Sequence, residues 1–256
     1  MSARTLGDLA DAPRTGYSGS MEEAACIAAG FFVTKPAARG ARRSPDLLPP
    51  QLVSLSRCIA PSYQVFWGWD VEKHKAEAFA FGIPADRVSE LHPWEKTHGI
   101  TYPNVFHSRD DARAFVVAFL PAPHDVIILG ASLPLALTDE FLVHHKQRAH
   151  HMQTNTYTDT CYGMNLVLTA RQPLPEGGER MGFEMVLFEG HLTCSWLCTG
   201  TERDVFNALG IRPNAHGLIE TYEDALRVDA WMQEHPEKAE PGPYYPWLIA
   251  RYRASG

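Results

Sequence analysis

Asp125-Val126-Ile127-Ile128-Leu129-Gly130 is an apolar, mostly β-branched run that begins after Pro123 and ends at Gly130. A strand that is covered on both faces has this unbroken apolar pattern, because neither face needs polar side chains for water. The short length and the flanking Pro and Gly favour a strand over a buried helix. The run therefore predicts the central strand of a sheet that carries helices on its faces.

Other elements on the N-terminal side of this strand have weaker patterns. Strands are predicted at Gly30-Phe-Phe-Val-Thr34 and at Val105-Phe106, and a strand or a packed turn at 63–69. Helices are predicted at 70–82 and within 84–98. Ser108 followed by Asp111 resembles a capping box and starts a helix that runs to Leu120. The apolar stripe of that helix consists of Ala112, Phe115, Val116 and Phe119.

On the C-terminal side the pattern changes towards strands and capped helices. Strands at 166–170, 183–188 and 191–198, with a turn at Pro175-Glu-Gly-Gly-Glu179, predict an antiparallel meander. Helix starts are predicted at Thr138, at Thr201 and at Thr221, the last with Asp224 three residues on. The helix from Thr138 has Phe141, Leu142 and His145 as its inward face. The aromatic tail with Tyr244, Tyr245 and Trp247 is expected to pack on the body.

These elements predict an α+β or mixed α/β protein with a central mixed sheet and a C-terminal antiparallel meander covered by helices. Residues 1–23 are small and polar, and a flexible N-terminus is expected there. Residues 24–256 are expected to form a single globular domain, with a possible subdivision into 24–152 and 153–256.

Charge and cysteine content limit the classes of partner. The 23 Lys and Arg residues against 30 Asp and Glu residues give a net charge of −7, which argues against nonspecific binding to nucleic acid or to an anionic membrane. Five cysteines form an odd, sparse set without a disulfide pattern, so a reducing cytoplasmic location is expected. The chain has no signal-peptide pattern and no apolar run of transmembrane length. No motif indicates a cofactor.

The histidine segment 144–151 contains four of the twelve histidines and invites a metal-site interpretation. On a helix, His144 and His151 share a face but lie roughly 10 Å apart, too far for one ion. The segment is instead expected to be the exposed end of a helix or a pH-sensitive binding surface. The residues of that surface would be His144, His145, Arg148, His150 and His151.

A second metal alternative involves His191, Cys194 and Cys198. Their spacing would place all three on one face of a helix, where they could bind zinc. The local sequence favours a strand, in which His191 points away from both cysteines. Buried cysteines beside the core residue Trp196 are then the expected arrangement.

A catalytic alternative rests on Ser132, which follows the central strand in Gly130-Ala-Ser-Leu-Pro134. A serine on a tight turn from strand to helix is typical of the hydrolase nucleophile elbow, although Pro134 replaces the second glycine of that motif. Its partners would be His191 or His216, with Glu184 or Asp159. A hydrolase that uses Ser132, or a metal site near the histidine segment 144–151, is the alternative to a binding protein.

A group of uncharacterised bacterial cytosolic proteins has similar motifs between residues 173 and 235. The chain resembles them at Pro175-Glu-Gly-Gly-Glu-Arg-Met-Gly-Phe-Glu184, Ser195-Trp-Leu-Cys198 with Glu202, Gly210-Ile-Arg-Pro-Asn214 and Gly217-Leu-Ile219. Some of these proteins are similar to the immunity proteins that neutralise polymorphic toxins. The resemblance implies a bacterial protein-interaction module without enzymatic activity, which covers a toxin's active site through an acidic or aromatic surface.

Overall fold

The structure is a computed structural model. It describes residues 25–34, 49, 52–56, 82–101, 105–120, 126–152, 160–189, 192–198, 200–240 and 242–254. The strands are β1 (Cys26–Thr34), β2 (Ile100–Thr101), β3 (Val105–Phe106), β4 (Ile127–Pro134), β5 (Glu179–Glu189), β6 (Leu192–Ser195) and β7 (Tyr245–Arg253). The α-helices are α1 (Val88–Glu95), α2 (Arg109–Phe119), α3 (Leu135–Met152), α4 (Thr160–Thr169), α5 (Thr201–Leu209) and α6 (Tyr222–Glu234). Short 3-10 helices lie at Ala85–Arg87 and Pro236–Lys238.

The strands form one curled sheet in the order β2-β3-β1-β4-β7-β5-β6. The predicted α+β class is confirmed. The expectation of a mixed sheet is wrong, because every pair of neighbouring strands in the described ranges is antiparallel.

The predicted central strand is confirmed as β4, the fourth of the seven strands in the sheet. It pairs with β1 on one side and with β7 on the other; Ile128, for example, lies between Val33 and Tyr252. Its side chains alternate between two apolar layers, so Leu129 and Ile128 belong to different core clusters. The continuous apolar run therefore reflects burial on both faces, as the sequence pattern indicates.

Helices cover both faces of the sheet. Helices α3 and α4 cover one face, through a core that includes Leu137, Phe141, Met164 and Leu168. On the other face, α1 and α2 cover the β1–β4 end, and α5 and α6 cover the β5–β6 end. Within the described ranges, none of the helices combines the length and the apolar character that crossing a membrane would require.

Two glycines allow bulges in the long strands. The register of β1 against β4 shifts between Ala28 and Gly30, where Gly30 has a φ of 145°. The register of β5 against β7 shifts between Arg180 and Gly182, where Gly182 has a φ of 129°. A side chain is strained at such φ values, and a bulge increases the local twist of the strand. Both bulges therefore contribute to the curl of the sheet.

The capping predictions are confirmed at two helices and wrong at two. The hydroxyl of Ser108 accepts a hydrogen bond from the amide of Asp111 at 3.0 Å, as the spacing predicts. The hydroxyl of Thr221 accepts one from the amide of Asp224 at 3.1 Å in the same way. Thr138 lies inside α3, which begins directly after Pro134, and its hydroxyl donates to the Pro134 carbonyl. Gly200 occupies the N-cap of α5, and the hydroxyl of Thr201 donates to the Lys238 carbonyl.

The predicted meander is only partly present. Residues 183–188 lie in β5 and 192–195 form β6, but 166–169 belong to α4 instead of a strand. The burial of Gly163, Met164, Val167 and Leu168 has helical spacing, which the five-residue run alone does not reveal. The aromatic residues Tyr244, Tyr245 and Trp247 of the tail are buried as expected, and the last two belong to β7. The predicted elements at 63–69 and 70–82, except Gly82 itself, lie outside the described residues, as does the expected flexible terminus.

Candidate functional site

Glu184 is a fully buried carboxyl group in the middle of β5. Its neighbours Phe183 and Met185 point into the core under α5 and α6, so Glu184 points to the opposite face of the sheet. There the hydroxyl of Ser54 donates to Oε1, and the amide of Leu55 donates to Oε2 at 2.8 Å. The side chain of Ser195 on β6 also forms a hydrogen bond with it. Three donors from two other segments therefore surround one carboxyl group.

Burial raises the pKa of Glu184 from its ordinary value of 4.5 to about 7. The hydrogen bonds from Leu55, Ser54 and Ser195 lower the pKa, but they do not cancel the loss of hydration. The carboxyl group is therefore protonated in mildly acidic solution and about half ionised near neutral pH.

The hydrogen bonds continue from Glu184 to a thiol. The amide of Ser56 donates to the Ser54 hydroxyl at 2.8 Å, and the Ser56 hydroxyl lies 3.3 Å from Sγ of Cys198. The amide of Ser195 donates to the same sulfur at 3.2 Å. We refer to Ser54, Ser56, Glu184, Ser195 and Cys198 as the Glu184 network. Cys198 is partly exposed, whereas the other four side chains are buried.

The Glu184 network can hold three parts of the chain together and can store a proton. It joins the segment 52–56 to β5 and to the turn after β6. A buried carboxyl group beside hydroxyl donors can also act as an acid or a base if a substrate reaches it. Because Glu184 and both contacting serines are buried, the geometry favours the holding role.

A second candidate site is the outward side of α3 and α4. Of the large apolar side chains that the structure describes, four are exposed, and three of these lie on α3 or α4. They are Leu135, Val143 and Leu166, with exposed fractions of 43%, 58% and 44%. Asp139 lies between the first two along α3 and forms an ion pair with Arg171. We refer to Leu135, Asp139, Val143 and Leu166 as the α3–α4 surface.

The histidine segment forms the second half of α3. His145 is only 3% exposed, and its ring centroid lies 4.1 Å from that of Phe141. The prediction that it belongs to the inward face is confirmed, and its inclusion in an exposed binding surface is wrong. His144 is partly exposed and contacts the His145 ring edge-on. The side chains of Arg148, His150 and His151 lie outside the described part of the structure.

Ser132 does not lie on a turn from strand to helix. It is a fully buried residue of β4, which continues through Pro134, and its hydroxyl donates to the Leu248 carbonyl at 3.4 Å. Leu248 pairs with both Ser132 and Phe183, so Ser132 lies on the Phe183 face of the sheet. Glu184 is on the other face. The structure therefore does not bring together the predicted pair of Ser132 and Glu184.

The other predicted site residues are also separated or outside the described ranges. Cys194 lies in β6 and Cys198 in the turn that follows, so the helical spacing required for the zinc alternative does not exist. Trp196 is fully buried, as expected of a core residue, but it lies in the turn and not in the strand. The expectation of buried cysteines is wrong, because Cys194 and Cys198 are both partly exposed. His191 and Asp159 lie outside the described residues. Among those described, no group of three His, Cys, Asp or Glu residues could hold a metal ion.

Sequence reasoning did not identify the serines of the Glu184 network. Ser54 and Ser56 belong to the short segment Leu52-Val-Ser-Leu-Ser56, which contains no motif, and Ser195 belongs only to a stretch of general similarity to other proteins. One signal was available at Glu184 itself. It stands in Phe183-Glu-Met-Val-Leu-Phe188, where both faces are otherwise apolar, and a charge in such a strand requires buried partners.

Comparison with known proteins adds no homologue. No protein-family model matches the chain, and neither the curated proteins nor the solved structures contain a significant match to it.

Proposed function

We propose that this protein is a bacterial protein-interaction module of the immunity type, which neutralises a toxin by covering part of its surface. The observation that carries the proposal is the concentration of exposed apolar side chains on the α3–α4 surface. Single exposed apolar residues are common in soluble proteins, whereas several on neighbouring elements are typical of contact sites. The similarity of residues 173–235 to immunity-type proteins also supports the proposal.

The helices that carry this surface are firmly packed. Phe141 is fully buried and contacts the rings of Tyr245 and Trp247, both at 5.1 Å between centroids. Met164 and Leu168 are fully buried beneath α4, and α3 and α4 also contact each other. A rigid apolar surface loses little conformational entropy when it binds, which suits an inhibitor that must bind tightly.

Charge favours a basic partner. The whole chain carries a net charge of −7, and the carboxylate of Asp139 lies between Leu135 and Val143 with 75% of its side chain exposed. A net negative charge on a protein accelerates its association with a basic protein surface and disfavours acidic partners. The proposed partner is therefore a toxin domain with a basic surface around an apolar patch.

The test is co-expression with the product of a toxin-like reading frame encoded beside this chain. The proposal predicts that the two proteins copurify and that growth, which the toxin alone arrests, is restored. Absence of both binding and rescue would reject the immunity function.

Substitutions locate the contact. Val143→Asp and Leu166→Asp place charges in the centre of the proposed interface, and each should weaken binding tenfold or more, on the order of a hot-spot residue. Val117→Asp is the matched control, because Val117 is 82% exposed but lies on α2, on the opposite face of the sheet. Equal effects of all three substitutions would show that the α3–α4 surface is not the binding site.

A further inference from the structure

Two partly exposed thiols lie close together at the end of β6. Cys194 is a residue of β6, opposite Leu187 on β5, and Cys198 follows in the turn that closes with its amide on the Ser195 carbonyl at 2.8 Å. Neither forms a disulfide in the structure. Both side chains pack against the same apolar core, beneath α5 and α6.

The position of the Cys198 sulfur brings it within reach of Cys194. Its Sγ lies 3.2 Å from the amide nitrogen of Ser195. Because an amide nitrogen is about 2.4 Å from the preceding Cα, this sulfur lies within about 6 Å of the Cα of Cys194. In a disulfide each sulfur lies roughly 4 Å from the Cα of the other cysteine, so this sulfur needs to approach Cys194 by no more than about 2 Å. Rotation of the two side chains can supply a displacement of this size.

Tyr244 gives an independent indication that the two thiols lie on the same side. Burial raises the pKa of its hydroxyl group, and the neighbouring Cys194 and Cys198 raise it further. Both sulfurs are therefore close to one buried phenol.

We propose that Cys194 and Cys198 are a modification site, at which hydrogen peroxide converts the two thiols into an intrachain disulfide. One thiolate attacks an oxygen of the peroxide, the O–O bond breaks, and a sulfenic acid forms while the leaving hydroxide takes up a proton as water. The second thiol attacks the sulfenic sulfur, and the S–O bond breaks with release of a second water. The two thiols together lose two protons and two electrons, and the peroxide is reduced to two waters.

The modification connects the thiols to the Glu184 network. In the disulfide, the Cys198 sulfur turns towards Cys194 and leaves the Ser195 amide and the Ser56 hydroxyl, which it contacts in the thiol form. The segment 52–56 then loses one of its attachments to the β6 turn. Oxidation should therefore increase amide hydrogen exchange in 52–56.

Mass spectrometry of the full chain tests the proposal directly. Trypsin cleaves after Arg180 and Arg203, so the peptide 181–203 contains both cysteines of the site and no other cysteine. After treatment with peroxide and alkylation, this peptide should be lighter than the reduced peptide by two hydrogens and carry no alkyl group. Dithiothreitol should restore two alkylatable thiols.

Cys26→Ser is the matched control. Cys26 is also partly exposed, but it begins β1, four strands from β6, or about 19 Å across the sheet. The variant should form the same disulfide in the same yield.

Three outcomes in the unsubstituted chain would each overturn the proposal. They are two alkylated cysteines after peroxide treatment, a sulfinic acid without a disulfide, and a bond from either cysteine to Cys26.

Discussion

The hydroxyl of Ser54 donates a hydrogen bond to Oε1 of Glu184 across 130 positions of the sequence. Both residues are buried, and the amide of Leu55 donates to the other carboxyl oxygen at 2.8 Å. The contact attaches a segment outside the seven strands to the middle of β5. Its strength depends on the protonation of Glu184, so the folded protein should have a pH-dependent stability that originates at this position.

Glu184→Gln should remove that pH dependence. Glu184 has a pKa of about 7 in the folded protein against 4.5 as its ordinary value, so its contribution to stability is fully present below pH 4.5 and is lost as pH rises through 7. The loss amounts to roughly 3 kcal/mol of unfolding free energy. Gln does not ionise, so the variant should gain about this amount relative to the natural protein between pH 4.5 and 8. Urea unfolding at several pH values measures the difference, and parallel profiles for the two proteins would contradict the assignment.

Ser54→Ala should destabilise the protein more at pH 8 than at pH 5. Hydrogen bonds to charged acceptors contribute about 1.5–3 kcal/mol, and those to neutral acceptors about 1 kcal/mol. Loss of the hydroxyl donor should also raise the pKa of Glu184 further. Ser56→Ala is the control, because the Ser56 hydroxyl contacts Cys198 instead of Glu184. Its effect on urea unfolding should be independent of pH, and a similar pH dependence in both variants would contradict this prediction.

Phe141→Ala should cost about 3–5 kcal/mol of unfolding free energy, as expected for a fully buried phenylalanine. The side chain joins α3 to the sheet through Tyr245 and Trp247. Val143→Ala, two residues along the same helix, should change stability by no more than about 0.5 kcal/mol because Val143 is exposed. Denaturant unfolding of the two variants measures how much the buried face and the exposed face of α3 each contribute to the free energy of unfolding. Comparable losses would mean that the exposed face is covered in solution.

Gly163→Ala should be destabilising although alanine is the better helix former. A Cβ at this position in α4 would lie 2.9 Å from the Cβ atoms of both Thr101 and Val105. Overpacking of this kind costs about 1–3 kcal/mol, against a helix-propensity gain of about 1 kcal/mol. Thr169→Ala at the exposed end of the same helix should be nearly neutral. Thermal denaturation checks both variants, and an increased Tm for Gly163→Ala would show that α4 can move away from β2 and β3.

Local signals predicted local structure well. Ser108 and Thr221 were identifiable because a cap and the residue it bonds are only three positions apart. The central strand was identifiable because burial on both faces leaves a continuous apolar run. The predictions at Thr138 and Thr201 failed because each helix begins earlier than a cap at the threonine would place it, at Leu135 in α3 and directly after the N-cap Gly200 in α5. The two threonine hydroxyls donate to the carbonyls of Pro134 and Lys238.

The candidate sites depended on relationships that no single segment contains. Ser132 and Glu184 lie on strands that are separated by β7, and the register across β7 puts their side chains on opposite faces of the sheet. Their positions along the chain do not reveal this register. The Ser54–Glu184 contact joins residues that have no shared pattern. The exposure of Val143 could be expected from the helical period, but that of Leu166 required the knowledge that its segment is α4 rather than a strand.

Strand β7 lies between β4 and β5 in the sheet, yet it is the last of the described strands to leave the ribosome. Until residues 245–253 have been synthesised, β4 and β5 lack the strand that hydrogen-bonds to each of them here. From its own synthesis until that of β7, each of the strands β4 and β5 therefore exposes an apolar edge on the nascent chain. Such edges readily pair with other chains, so the protein should require chaperone protection until β7 is inserted.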